Sequence, residues 1–179
     1  MEKIKLKPLT QFYCDECGGI IENPRDGYVE WEGGYDKKNG KHFVRGFRII
    51  HRKVKSPYKG SIDGCHKYEK SRFRLDSELT HILEYSKQRV FSWLDRGFIH
   101  DPDGKIGCEV IDMKSFVDFA KRLTIPYYEE ARIYFEFALQ DGYFSDWNEV
   151  GLYSESTLKA IIGRYSPAFY DKKDIKETL

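Results

Sequence analysis

The sequence predicts an α+β chain of two modules, on three observations: a split in charge, a change in hydrophobic period and a clustered pair of cysteines. Residues 1–75 carry 17 Lys+Arg against 10 Asp+Glu, a local +7, while residues 76–179 carry 13 against 19, a local −6. The formal net charge of +1 over 179 residues therefore averages two halves of opposite sign. Strand-like alternation dominates to about residue 74, and apolar residues at three- and four-residue steps follow it. The expected organisation is a basic β module over 1–74, an acidic, mainly helical module over 75–170 carrying one β-hairpin, and a polar tail over 171–179. Hydrophobic residues at 40% and aromatics at 16% supply a packed core, which excludes a disordered chain except at its ends.

Within the β module, residues 28–31 alternate, residues 33–40 are turn chemistry ending in Asn39-Gly40, and residues 42–50 return as a second strand. From Leu75 the period becomes helical. Asp76 or Ser77 caps a helix that turns Leu79, Ile82, Leu83, Val90, Phe91 and Leu94 inward and ends near Arg96-Gly97. Residues 98–100, the turn Asp101-Pro102-Asp103-Gly104 and residues 105–111 suit the hairpin of the second module. Asp112 caps the next helix, with Phe116, Phe119, Ala120 and Leu123 inward. Pro126 opens another through Ala131, Tyr134 and Ala138 to Gly142, and Ser154 caps a last one that breaks before Pro167.

Cys14-Asp15-Glu16-Cys17-Gly18-Gly19 is the most informative string. Two thiolates three positions apart can grip one ion from a tight turn, and the glycines relieve crowding where backbone N–H groups turn toward the sulfurs. A redox CxxC would open a helix after a buried strand; here Ile20-Ile21 and the turn 23–27 follow, which favours metal. The other half of the site must come from later in the chain. Cys65 and His66 follow the turn 60–64, and His51 ends the apolar run 47–50, so the expected set is Cys14, Cys17, His51 and Cys65. His66 is the leading substitute for His51, and His42 a poorer one because it lies inside a hairpin arm. Four protein ligands leave no open position, so the ion, Zn²⁺, would be structural. Cys108 stands alone in an apolar run and reads as a small buried hydrophobe.

The string resembles the knuckles of zinc-ribbon and related zinc-finger modules. The resemblance spans residues 12–68, rests on one CxxC and departs from the usual pattern in its second half, which is not a clean CxxC. It implies a zinc-stapled hairpin, and a module of a kind that commonly binds nucleic acid or protein.

Residues 37–74 hold 13 Lys+Arg and only Asp63 and Glu69 as acids, a local +11, with Phe43, Phe47, Tyr58, Tyr68 and Phe73 interleaved. Cations that neutralise phosphates beside rings that stack on bases form a surface suited to nucleic acid, with Arg45, Arg48, Arg52, Lys53 and Lys55 as expected partner-binding residues. An acidic protein surface is the competing partner, for an adaptor or inhibitor with purely structural zinc. Catalytic residues are not evident. Pro102-Asp103 with Asp112-Met113-Lys114 superficially resembles elements of metal-dependent nucleases, which keeps a nuclease or hydrolase as the alternative from another class. A calcium loop centred on Gly104 fails because Ile99 and Val110 occupy the first and last ligand positions. No apolar leader or run of ~20 apolar residues occurs, so a soluble, cytoplasmic protein with reduced thiols and no membrane partner is expected; no small-molecule substrate is evident.

Overall fold

Strand pairing carries the first unit well past residue 74. In a computed structural model describing residues 5–38, 40–58, 62–100, 108–144 and 151–176, with backbone alone at 95–100, 108–109 and 167–176, the chain divides into two units. One is Gln11–Thr124; the other combines Met1–Thr10 with Ile125–Leu179. The boundary expected after residue 74 falls at 124 because the next strand and the helices behind it complete the first unit's own sheet and core.

That unit opens with two short antiparallel strands, β1 (Phe12–Tyr13) and β2 (Ile20–Ile21), paired Phe12 to Ile21 and Tyr13 to Ile20. Asn23 then caps a 3₁₀ turn at Pro24–Asp26 by accepting the Arg25 N–H at 3.0 Å. The predicted hairpin follows, as β3 (Gly27–Asp36) and β4 (Lys41–His51), with Gly27 opposite His51 at its base. β4 spends one extra residue between Arg48 and Arg45, opposite Glu30 and Glu32. Gly46 sits in that bulge at φ +67°, and a Cβ there would lie 2.2 Å from the Tyr68 hydroxyl, so the position demands glycine twice over.

β5 (Arg74–Glu78) pairs antiparallel with β3, and β6 (Cys108–Val110) pairs parallel with β4, giving the order β5-β3-β4-β6. The expected helix after Leu75 becomes α1 (Leu79–Glu84) and α2 (Ser86–His100), broken at Tyr85, whose ψ of 30° leaves the helical region. α2 takes in residues 98–100, so those residues form no hairpin arm, and β6 joins the sheet through β4 instead. The turn 101–104 lies outside the described residues. Asp112 caps α3 (Met113–Thr124) as expected, accepting the Ser115 N–H at 3.2 Å.

The core of this unit is aromatic. Phe47 stacks on Phe119 at 5.0 Å between ring centroids and on Trp31 at 5.9 Å, and meets Trp93 at 4.9 Å, so β4, β3, α2 and α3 close on one side chain. Phe12, Ile21, Val29, Val44, Ile49, Ile50, Leu79, Ile82, Phe116 and Leu123 belong to the same cluster. Rings of this size supply much of the apolar area buried in so small a sheet.

The second unit packs α4 (Tyr128–Ala131), a 3₁₀ turn at Arg132–Tyr134, α5 (Phe135–Gln140) and α6 (Glu155–Lys176) around Tyr134, Ala138, Leu158, Ile161 and Ile162. Ser154 caps α6 through the Thr157 N–H at 3.3 Å, and the helix continues through Pro167 rather than stopping before it. Residues 5 and 6 are pinned to this unit by the buried Glu130, which accepts the backbone N–H groups of Lys5 and Leu6 at 2.9–3.0 Å. No described helix is long and apolar enough to cross a membrane.

Candidate metal centre

Three pieces of the first unit converge at the base of the β3–β4 hairpin. The CxxC is the loop of the β1–β2 hairpin itself: the Cys14 N–H donates to Gly19 O at 2.8 Å and the Gly18 N–H to Cys14 O at 2.9 Å. Gly18 closes that loop at φ +69°, a left-handed conformation that lets the chain turn from the second sulfur into β2. His51 is the last residue of β4, and Cys65 follows the left-handed Gly64 in the segment joining β4 to β5.

The ligand atoms of Cys14, Cys17, His51 and Cys65 lie within 4.8 Å of one another, close enough to hold a metal ion. Cys17 Sγ stands 3.3 Å from His51 Nδ1. The other ring nitrogen, Nε2, lies 3.2 Å from Ile20 O, so with its hydrogen on Nε2 the ring donates to that carbonyl and turns Nδ1 to the cluster. Ser56 Oγ lies 3.2 Å from Cys65 Sγ, a second polar contact behind a ligand. A tetrahedral ion with M–S of about 2.3 Å and M–N of about 2.0–2.1 Å has ligand–ligand edges of roughly 3.5–3.8 Å, so the four donors need contract by only about 1 Å to enclose one.

Burial, reinforced by the neighbouring Cys14 and Cys17 sulfurs and opposed by the Ser56 hydroxyl, pushes the Cys65 thiol up to about 12, and burial with Cys14 beside it also raises Cys17. Raised values keep both thiols neutral without a metal, and a cation bound by all four donors would displace the thiol protons.

The two residues between the cysteines tie the knuckle to the rest of the unit. Asp15 receives Arg122 of α3 through both carboxylate oxygens, at 2.9 and 2.7 Å, and also accepts the Ile49 N–H at 2.7 Å. The same guanidinium donates to Tyr13 O at 3.0 Å, and Arg122 is 3% exposed. Glu16 pairs with Arg48, which bridges to the fully buried Glu30 at 2.8 Å. Burial alone would raise Glu30, but bonding from His66 and the Lys67 N–H and the charge of Arg48 hold it below the ordinary carboxylate range. The sequence offers charge and spacing at 15, 16, 48 and 122 but no sign that they pair.

His66 is turned away from the cluster: its Nδ1 faces Glu30 Oε2 at 3.5 Å and the Arg74 guanidinium at 3.2 Å. His42 is on the exposed stretch of β4, with its ring 5.2 Å from that of Tyr35. The side chains of Cys108 and His100 lie outside the described residues.

The expected partner-binding residues carry less available charge than their sequence suggests. Arg45 pairs with Glu32 at 2.9 Å, Arg52 with Glu78 at 3.1 Å, Lys53 with Glu69 at 2.6 Å and Lys55 with Asp26 at 3.6 Å, while Arg48 is committed to Glu16 and Glu30. Acids that lie mostly outside 37–74 thus neutralise much of that segment's surplus. Cations also gather at the far end of the hairpin, where Lys37, Lys38, Lys41, Arg45 and Arg72 line a groove of about 630 Å³ together with Tyr35, Phe43 and Phe73. Asp36 is the one carboxylate among its described lining residues.

Of the nuclease-like elements, residues 102–103 lie outside the described residues and Asp112 serves as the cap of α3. No protein-family model, no curated protein and no solved structure matches the chain, so function rests on the geometry of the site itself.

Proposed function

We propose that the protein is a non-enzymatic binding module, stapled by one structural Zn²⁺ on Cys14, Cys17, His51 and Cys65, that engages a polyanion, nucleic acid, through the basic groove at the hairpin tip. The observation that carries this reading is the pairing of two features on one hairpin: a closed three-thiol, one-imidazole donor set at its base and a cation-rich groove at its tip. Sulfur-rich tetrahedral sets suit Zn²⁺, and four protein donors leave no position for water or substrate, which favours a staple over a catalyst. The staple fixes the end of β4 and the segment carrying Cys65 against the CxxC loop. The cations supply a sequence-independent attraction for phosphate.

Fluorescence anisotropy with labelled nucleic acid across a salt series tests the binding half. Affinity is expected to fall steeply and log-linearly with salt and to weaken when Lys37 and Lys38 are changed to Gln. Binding that ignores salt, or no binding at low salt, overturns it.

A further inference from the structure

The rings in the groove narrow the partner beyond a generic polyanion. Tyr35 is 49% exposed and meets His42 edge-on across the hairpin. Phe43 and Phe73 form a second edge-to-face pair at 5.5 Å, reached across the sheet because Gly33 on β3 donates its N–H to Phe73 O at 2.8 Å. Two guanidinium groups extend these surfaces: Arg72 sits 4.5 Å over the Phe73 ring and Arg45 5.4 Å over the Phe43 ring. The result is a layered platform, with guanidinium planes over the phenylalanine rings and the exposed Tyr35 beside them, in a groove of about 630 Å³.

A duplex hides its base faces in the stack and shows a protein only phosphates, sugars and groove edges. Against such a ligand the rings of this groove contribute little. A single strand offers both parts at once, a flexible phosphate chain for the cations and free base faces for the rings. A protein partner with an acidic surface would also answer the charge and can bury Tyr and Phe, so it is separated from a single strand by the binding experiment and not by the rings alone.

We infer that the groove lined by Lys37, Lys38 and Arg72 is a site for single-stranded nucleic acid, with bases stacking on Tyr35 and on the Phe43–Phe73 pair. This rests on the polyanion-binding reading above and adds strandedness and location to it. Sequence preference is expected to be weak, because every base has a face to stack. Arg45 is tied to Glu32, and phosphate contacts from Lys37, Lys38 and Arg72 give an expected slope of log affinity against log salt near about −2 for a single strand.

The test is anisotropy of the zinc-loaded full chain with a fluorescein-labelled oligothymidylate, an oligouridylate and a mixed-sequence duplex of equal length, with heparin as a phosphate-free polyanion. Both single strands should bind at least about tenfold more tightly than the duplex. Tyr35→Ala should weaken them by about 5- to 150-fold, the range for loss of one stacked base, while leaving heparin unaffected. Lys37→Gln with Lys38→Gln should flatten the salt slope by about 1.4, and Arg72→Gln gives a second reading from a single site. Lys53→Gln with Lys55→Gln, outside the groove, should leave all affinities unchanged, and unchanged zinc content certifies the fold of each variant.

Equal or tighter binding of duplex, or indifference to Tyr35→Ala, overturns the inference and leaves the polyanion reading standing. Failure to bind any of the four probes at low salt overturns both. Loss of binding only in the Lys53 and Lys55 double variant moves the site away from the groove and overturns the inference alone.

Discussion

Arg122 joins the knuckle to α3, and replacing it should loosen both. Arg122→Met keeps the aliphatic stem in its buried place but removes two bonds to Asp15 and one to Tyr13 O. Breaking one side of a buried pair costs about 3–5 kcal/mol where the remaining charge is fully desolvated. The Asp15 side chain retains 20% exposure and keeps the Ile49 N–H, so water and backbone recover part of that, and the cost should be about 2–4 kcal/mol. For a chain of this size, that lowers the melting temperature by roughly 4–16 °C. Urea unfolding of the zinc-loaded protein measures the change, and chelator competition measures zinc release, which should be faster because Asp15 lies between two ligands. Asp15→Asn in the same background should couple strongly with Arg122→Met in a double-mutant cycle. A cost below about 0.5 kcal/mol, the scale of an exposed ion pair, with unchanged zinc release would refute the link between knuckle and helix.

Three further outcomes follow from the same structure. Cys14→Ser, Cys17→Ser and Cys65→Ser should each abolish stoichiometric metal and make the protein insensitive to EDTA, read by elemental analysis and thermal melts. Because Glu30 is held below its ordinary 4.5, its contribution to stability is fully present above that pH and is lost as pH falls through the lowered folded value; Glu30→Gln should cost about 3 kcal/mol near neutrality and blunt that acid limb in pH-dependent urea melts. Gly46→Ala should cost about 1–3 kcal/mol by equilibrium unfolding, since it meets both a left-handed backbone and the Tyr68 hydroxyl.

Local chemistry was legible in the sequence wherever one short segment determined the outcome. The caps at Asp112 and Ser154, the β3–β4 hairpin and the inward face of α3 follow from single residues and short periods. The four donors were legible for the same reason: thiols and an imidazole placed at turns and a strand end have few structural alternatives. Partnerships across the chain were not. Residues 98–100 look extended because Phe98 and Ile99 are good strand formers, yet they continue α2, and β6 pairs with a strand far earlier in the chain. The boundary at 74 followed the charge split and the change to a helical period, which report on the surface and on local structure, whereas the unit ends where the sheet and its covering helices end. The surplus charge of 37–74 misleads for a similar reason. A count of cations cannot show that Glu16 and Glu30 fold onto Arg48, Asp26 onto Lys55, Glu69 onto Lys53 and Glu78 onto Arg52.

The proposed metal staple is the central claim, and elemental analysis of natively purified protein tests it most directly. One zinc per chain is predicted, retained through dialysis and lost, with cooperative melting at lower temperature, when a strong chelator is added. Protein that contains no metal, takes up none from added Zn²⁺ and melts identically with and without chelator would contradict it.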